Sequence, residues 1–211
     1  MALWCEQAWL AEGWRNNVRL SLEKGLISAV ESGVDAAPGD ERHAILLPAL
    51  PNLHSHAFQR GMAGLAERAG DSDDSFWTWR EAMYRFVDRL DPEGMQAIAA
   101  LAYAEMLESG FARVGEFHYL HHDPDGRPYG DIAMMAQGLA AAAGETGIGL
   151  TLLPVFYAHS GFGGAAPTHG QRRFINDVDG FGALLEGCRH AVAGLDDAVV
   201  GVAPHSLRAA T

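Results

Sequence analysis

His54 and His56 flank Ser55 in the run Leu-Pro-Ala-Leu-Pro-Asn-Leu-His-Ser-His-Ala-Phe-Gln over positions 47–59. In an extended strand, side chains two apart leave the same face, about 6.6–6.8 Å along the backbone. Two imidazoles so placed can converge on one metal ion at metal–nitrogen distances of about 2.0–2.1 Å. Such an ion would bring the pKa of a water it holds toward about 7, which is hydrolytic chemistry. Histidine pairs also occur as ordinary core or surface residues, so the spacing alone leaves both readings standing. A second group, His118, His121 and His122, lies in Phe-His-Tyr-Leu-His-His-Asp. A polar loop or a site are both open there, and clustering does not choose between them.

The elements that must carry these residues are legible in outline. Leu46 to Leu53 is apolar apart from Asn52 and reads as a buried strand ending at His54, its approach stiffened by Pro48 and Pro51. A long helical region spans Ser75 to Ser109. Asp91 caps a restart there, Pro92 takes the first helical position, and Gly110 stops the helix. Phe111 to Phe117 is a strand, Asp131 to Thr146 a helix ending at Gly147, and Ile148 to Phe156 a strand. Val178 to Ala193 is a helix, and Ala198 to Ala203 a strand ending in Pro204-His205-Ser206. Strands alternating with helices make parallel βα units. Their C-terminal ends carry His54/His56, Glu116/His118, Tyr157-Ala158-His159 and His205, as in a TIM-like barrel whose chemistry gathers at that face. A full barrel takes about 250 residues and eight units, so residues 48–211 are expected to be the first half of one.

Upstream, residues 1–47 form short strands, Ala2 to Leu10, Trp14 to Glu23 and Gly25 to Glu31, with turns at Ala11-Glu12-Gly13 and Glu23-Lys24-Gly25. Asn17, Arg19 and Ser21 alternate with Val18, Leu20 and Leu22, a half-buried strand. Gly33 to Arg42 reads as a joint.

Composition narrows the function. With 211 residues and 48% hydrophobic content, a real core is available. The net charge of −12 comes with no basic cluster, which argues against nucleic acid and anionic membranes. Cys5 and Cys188 make no disulfide framework and suit a reducing cytoplasm, with no secretory leader pattern and no apolar run long enough to span a membrane.

Four segments together are similar to a known family. They are Pro51-Asn52-Leu53-His54-Ser55-His56-Ala57-Phe58-Gln59-Arg60, Ser75-Phe76-Trp77-Thr78-Trp79-Arg80-Glu81, Gly115-Glu116-Phe117-His118-Tyr119-Leu120-His121-His122, and Ala203-Pro204-His205-Ser206-Leu207-Arg208. In this order they resemble the N-terminal half of the formimidoylglutamate deiminases, amidohydrolase-superfamily enzymes of histidine degradation. The resemblance implies a small N-terminal β-sandwich domain and a (β/α)8 metal-dependent hydrolase barrel, of which the first four units are here. It implies one Zn2+ per complete subunit, a small acidic substrate (N-formimino-L-glutamate), a cytoplasmic homodimer, and hydrolysis to N-formyl-L-glutamate and ammonia.

By position, His54 and His56 would be metal ligands. Arg80 and Arg208 would grip the substrate carboxylates bidentately, while Gln59, Tyr119 and His205 would add hydrogen bonds. Arg208 departs from the Pro-Tyr-Thr run seen in many deaminases of the superfamily, and a cation there suits an acidic substrate. Ala49 departs as well, where glycine is usual. The remaining metal ligands and the catalytic acid/base residues are expected beyond Thr211, so the 211 residues alone are expected to be inactive and poorly stable. The rivals are a deaminase of the purine or triazine type, indifferent to Arg208, and a non-catalytic remnant.

Overall fold

The computed structural model describes residues 1–65 and 76–210; Ser75, and the side chains of Phe76 and Trp77, lie outside what it describes. Two compact units divide at Ala49 and Leu50.

The first unit, Met1–Ala49, is one sheet of four strands: β1 (Ala2–Leu10), β2 (Gly13–Glu23), β3 (Leu26–Ser32) and β4 (Glu41–Leu46), in the order β3-β2-β1-β4. Lys24 and Gly25 both adopt positive φ (52° and 79°), the geometry of a two-residue hairpin turn matched to strand twist. Cys5, Ala8, Val18 and Leu20 are buried together, Val18 and Leu20 on the face that the alternation along β2 marks. β4 corrects the sequence reading, since the end of the expected joint at Arg42 is strand, paired in parallel with β1. A parallel partner some forty residues away leaves no local turn signal.

The second unit is mixed α/β. Its sheet runs β5 (Leu50–Ser55), β6 (Phe111–His118), β7 (Gly149–Phe156) and β8 (Ala198–Val200), all parallel, and the two-residue β9 (Ala203–Pro204) also pairs with β7. The helices are α1 (Phe76–Val87), α2 (Pro92–Glu108), α3 (Met134–Thr146) and α4 (Val178–Val192). Asp91 caps α2 by accepting from the Gly94 amide at 2.7 Å, and Asp177 caps α4 on Gly180 at 2.7 Å, each satisfying an amide that the first turn leaves without a partner. Met95, Ala99 and Tyr103 of α2 and Met135, Leu139 and Ala143 of α3 join Val114, Leu150 and Leu152 in the core.

Two further expectations are corrected. Among the described residues β5 pairs with β6 alone, and Leu50 and Leu53 are 58% and 79% exposed, so within these residues the apolar run is not buried as expected. The expected strand from Ala198 to Ala203 is broken at Gly201, whose amide donates to Leu152 O at 3.0 Å. No helix among the described residues is long and apolar enough to cross a membrane.

Candidate active site

β5 delivers both histidines. Beside it, Gly115 lets β6 approach so closely that a side chain there would sit 2.9 Å from Leu53 O. At His56 the chain leaves the strand (φ −126°, ψ 78°) and winds into a 3-10 turn, Ala57–Met62, which carries Gln59. The His56 ring is fixed by the next strand, its Nδ1 lying 3.0 Å from Phe117 O. A carbonyl only accepts, so Nδ1 bears the proton and Nε2 carries the lone pair. That lone pair faces His54 Nε2 at 3.0 Å.

The donor set fits a metal ion such as zinc. Both Nε2 atoms face one point, close enough for a single ion to touch both at about 2.0–2.1 Å. The Phe117 carbonyl plays the part that backbone acceptors take behind metal-bound histidines, fixing tautomer and ring plane. Among the described residues no group of three or more His, Cys, Asp or Glu converges as a metal site.

The pair opens into a cavity of about 320 Å3, and all seven residues singled out from sequence line it: His54, His56, Gln59, Arg80, Tyr119, His205 and Arg208. Gln59 Nε2 donates to the Tyr119 hydroxyl at 3.0 Å. Arg80 comes from α1, its guanidinium carbon 5.4 Å from the centre of the Tyr84 ring, within cation–π range. The His205 ring lies tilted against Tyr157 with ring centres 4.3 Å apart, and its amide donates to Phe156 O at 3.1 Å.

Electrostatically the cavity opposes the chain's net charge. Burial, then the charges of Arg208 and His56, pushes the His205 pKa down to about 4. Burial also lowers that of His56, against the Phe117 bond that raises it. Both rings are therefore neutral near pH 7, and Arg80 and Arg208 bring positive charge to the cavity.

The rest of the wall is aromatic and apolar: Trp79, Met83, Tyr84, Phe117, Tyr157 and Phe174. Sequence reasoning missed Met83 and Tyr84, although they stand three and four residues after Arg80, on one helical face. Of Tyr157-Ala158-His159, only Tyr157 reaches the cavity, its hydroxyl accepting from Gln171 at 2.7 Å. Phe174 arrives from the coil before α4, which no local pattern marks.

His118, His121 and His122 are not in this cavity. All three are buried, which removes the polar-loop reading. His121 Nε2 meets Val155 O at 3.2 Å and His122 Nε2 meets Ile175 O at 2.8 Å, while His118 Nε2 has no partner. Burial drives the His118 pKa down to about 3 and that of His121 well below its ordinary value. Glu116 is likewise buried on the far side of β6 from Phe117, and burial lifts its carboxyl to about 7, opposed by the Ala57 amide.

Comparison with known proteins agrees with the sequence resemblance. The family model described as formimidoylglutamate deiminase HutF, N-terminal domain, matches residues 1–44. The chain is 49% identical over 211 residues to the formimidoylglutamate deiminase of Pseudomonas aeruginosa, covering all of this chain and 46% of that protein. It thus spans about half the length of the curated relative it matches. An amidohydrolase from Brucella melitensis has a crystal structure superposing with a TM-score of 0.96 at 58% identity, over 100% of this chain and 47% of that one. The atrazine chlorohydrolase TrzN from Arthrobacter aurescens TC1, solved complexed with zinc, superposes at 0.72 with 14% identity, over 100% of this chain and 48% of that one. At that identity the likeness shows a shared fold.

Proposed function

We propose that this chain supplies the first half of a zinc-dependent formimidoylglutamate deiminase of histidine degradation. In this reading residues 48–211 are the first four units of a TIM-like barrel, and residues 1–47 are strands of a small β-sandwich domain. The observation that carries the proposal is the single cavity in which the His54–His56 pair faces two guanidinium-bearing residues, Arg80 and Arg208.

The reaction adds water to the formimino carbon and breaks its bond to the terminal nitrogen, leaving N-formyl-L-glutamate and ammonia. His54 and His56 would hold zinc through their Nε2 atoms. Zinc, when bound, supplies a Lewis acid that activates water and polarises the amidine carbon. Arg80 and Arg208 pair with the two substrate carboxylates, a planar fork suiting each. Gln59, with Tyr119 behind it, and His205 offer hydrogen bonds to the amidine end. Neutral at pH 7, His205 can accept as well as donate. The aromatic wall excludes bulk water and so strengthens each of these charge contacts.

The test is to join this chain to the remaining half of the Pseudomonas aeruginosa relative and follow ammonia release from N-formimino-L-glutamate with zinc. Release that stops with His56→Ala supports the proposal. Release from neutral purines or triazines instead, unchanged by Arg208→Met, favours the ring-deaminase reading, and no hydrolysis of any of these leaves a non-catalytic remnant.

A further inference from the structure

Two consecutive residues of β6 grip residue 56 from opposite ends. Phe117 accepts from the His56 ring through its backbone carbonyl at 3.0 Å, and the Glu116 carboxyl accepts from the amide that follows, Ala57 N, at 2.8 Å. Glu116 stands opposite Ser55 in the strand pairing, just where the β5–β6 register shifts. Past that point the chain turns out of β5, and the Ala57 amide, buried with its residue, has no strand partner to meet. A buried amide must be satisfied, and here a side chain does it.

The choice of side chain is informative. Glu116 is 1% exposed, and besides the Ala57 amide its carboxyl has the hydroxyls of Ser55 and Tyr103 beside it. Burying a carboxyl is costly even with polar neighbours, and a well-packed apolar residue can stabilise a fold as well or better. What an apolar residue cannot do is hold the Ala57 amide, and with it the turn that aims the His56 ring.

We propose that Glu116 is a positioning residue for His56: by gripping the Ala57 amide it keeps His56 Nε2 facing His54 Nε2, and so presets the pair for a metal ion. The part concerning metal rests on the zinc reading above; the part concerning ring geometry does not.

The experiment uses this chain joined to the remaining half of the Pseudomonas aeruginosa relative and labelled with 15N-histidine, reading the tautomer of His56 from its ring nitrogen shifts, first without metal and then during a zinc titration. In the parent chain His56 is expected as a single tautomer protonated at Nδ1. Glu116→Gln, which retains an acceptor oxygen, should preserve that tautomer. Glu116→Leu, similar in volume but without an acceptor, should give a mixture and weaken zinc binding about tenfold, the lower end for residues that support metal-bound histidines. Ala57→Pro reaches the same contact from the other side, because it deletes the N–H at the first position of a helical turn, where proline is tolerated. It should reproduce the leucine result and serves if Glu116→Leu does not fold. A single unchanged tautomer and unchanged zinc affinity in either variant overturns the proposal. If zinc moves neither ring of the parent chain, the zinc reading fails, while the tautomers still decide the role of Glu116.

Discussion

Two sets of three histidines do opposite things: His54, His56 and His205 line the cavity, and His118, His121 and His122 are buried in the core. In the first set two ring nitrogens meet each other at 3.0 Å on the wall of a cavity that Arg80 and Arg208 also line. In the second set ring nitrogens end on carbonyls of β7 and the coil beyond it, or on nothing. Arg173, buried with them, accepts the His121 and His122 amides at 3.0 Å and donates back to His122 O at 2.7 Å. Residue type is thus a poor guide to role. What decides is whether the ring's tip meets a second imidazole beside a cavity, or is closed off inside the core.

If that division is right, damage to one set should leave the other's property intact. The largest effect expected is on activity of the joined protein. His56→Ala should cost about 4 kcal/mol of transition-state stabilisation, roughly a thousandfold in ammonia release, with Tm held within a few degrees. A collapse of Tm would put His56 in the core set. Next, Arg173→Ala should lower stability by about 3 kcal/mol, since it strands the His122 and Val87 carbonyls that its guanidinium meets and opens a cavity. For a chain of this length that is about 6–12 °C in Tm, while the zinc-induced shifts of the His54 and His56 rings should persist. Smaller again, Arg208→Met should raise KM for N-formimino-L-glutamate about 10–100-fold by stranding a substrate carboxylate. An unchanged KM would remove Arg208 from substrate recognition.

The sequence made legible what is encoded locally. Lys24-Gly25 specifies a hairpin by its backbone demands, Asp91-Pro92 starts α2, and the i, i+2 spacing of His54 and His56 survives as a shared direction because β5 runs extended to Ser55. Nonlocal features were not legible. β4 exists because β1 offers it a parallel edge. Leu50 and Leu53 are exposed because β5 has β6 as its one partner strand among the described residues. Phe174 becomes cavity wall through the path of a coil, and the His118–His122 cluster is core only because the segment around Arg173 closes over it. Arg80 and Arg208 lie far apart in the chain and share one cavity; resemblance, not periodicity, pointed to them.

The finest test of the comparison uses pH. His118 stands against His121, with ring centres 4.8 Å apart, and His121 stands against His122 at 6.1 Å. In the folded chain burial holds the His118 pKa at about 3, whereas an unfolded histidine takes its proton near 6.5. Between those values the unfolded state binds more protons, so the stability contribution is whole above about pH 6.5 and drains away as pH falls toward 3. By pH 5 the loss from His118 alone is about 2 kcal/mol. Glu116 pulls the other way across much of this window, its carboxyl being raised to about 7 in the fold, so the parent chain's curve mixes the two slopes. His118→Leu separates them. At pH 8 the variant should differ by less than about 1 kcal/mol, because His118 Nε2 has no partner to lose. At pH 5 it should be the more stable of the two by about 2 kcal/mol. Parallel curves of Tm against pH would mean that His118 reaches solvent or a proton acceptor in the fold, and the line between the two sets of histidines would have to be redrawn.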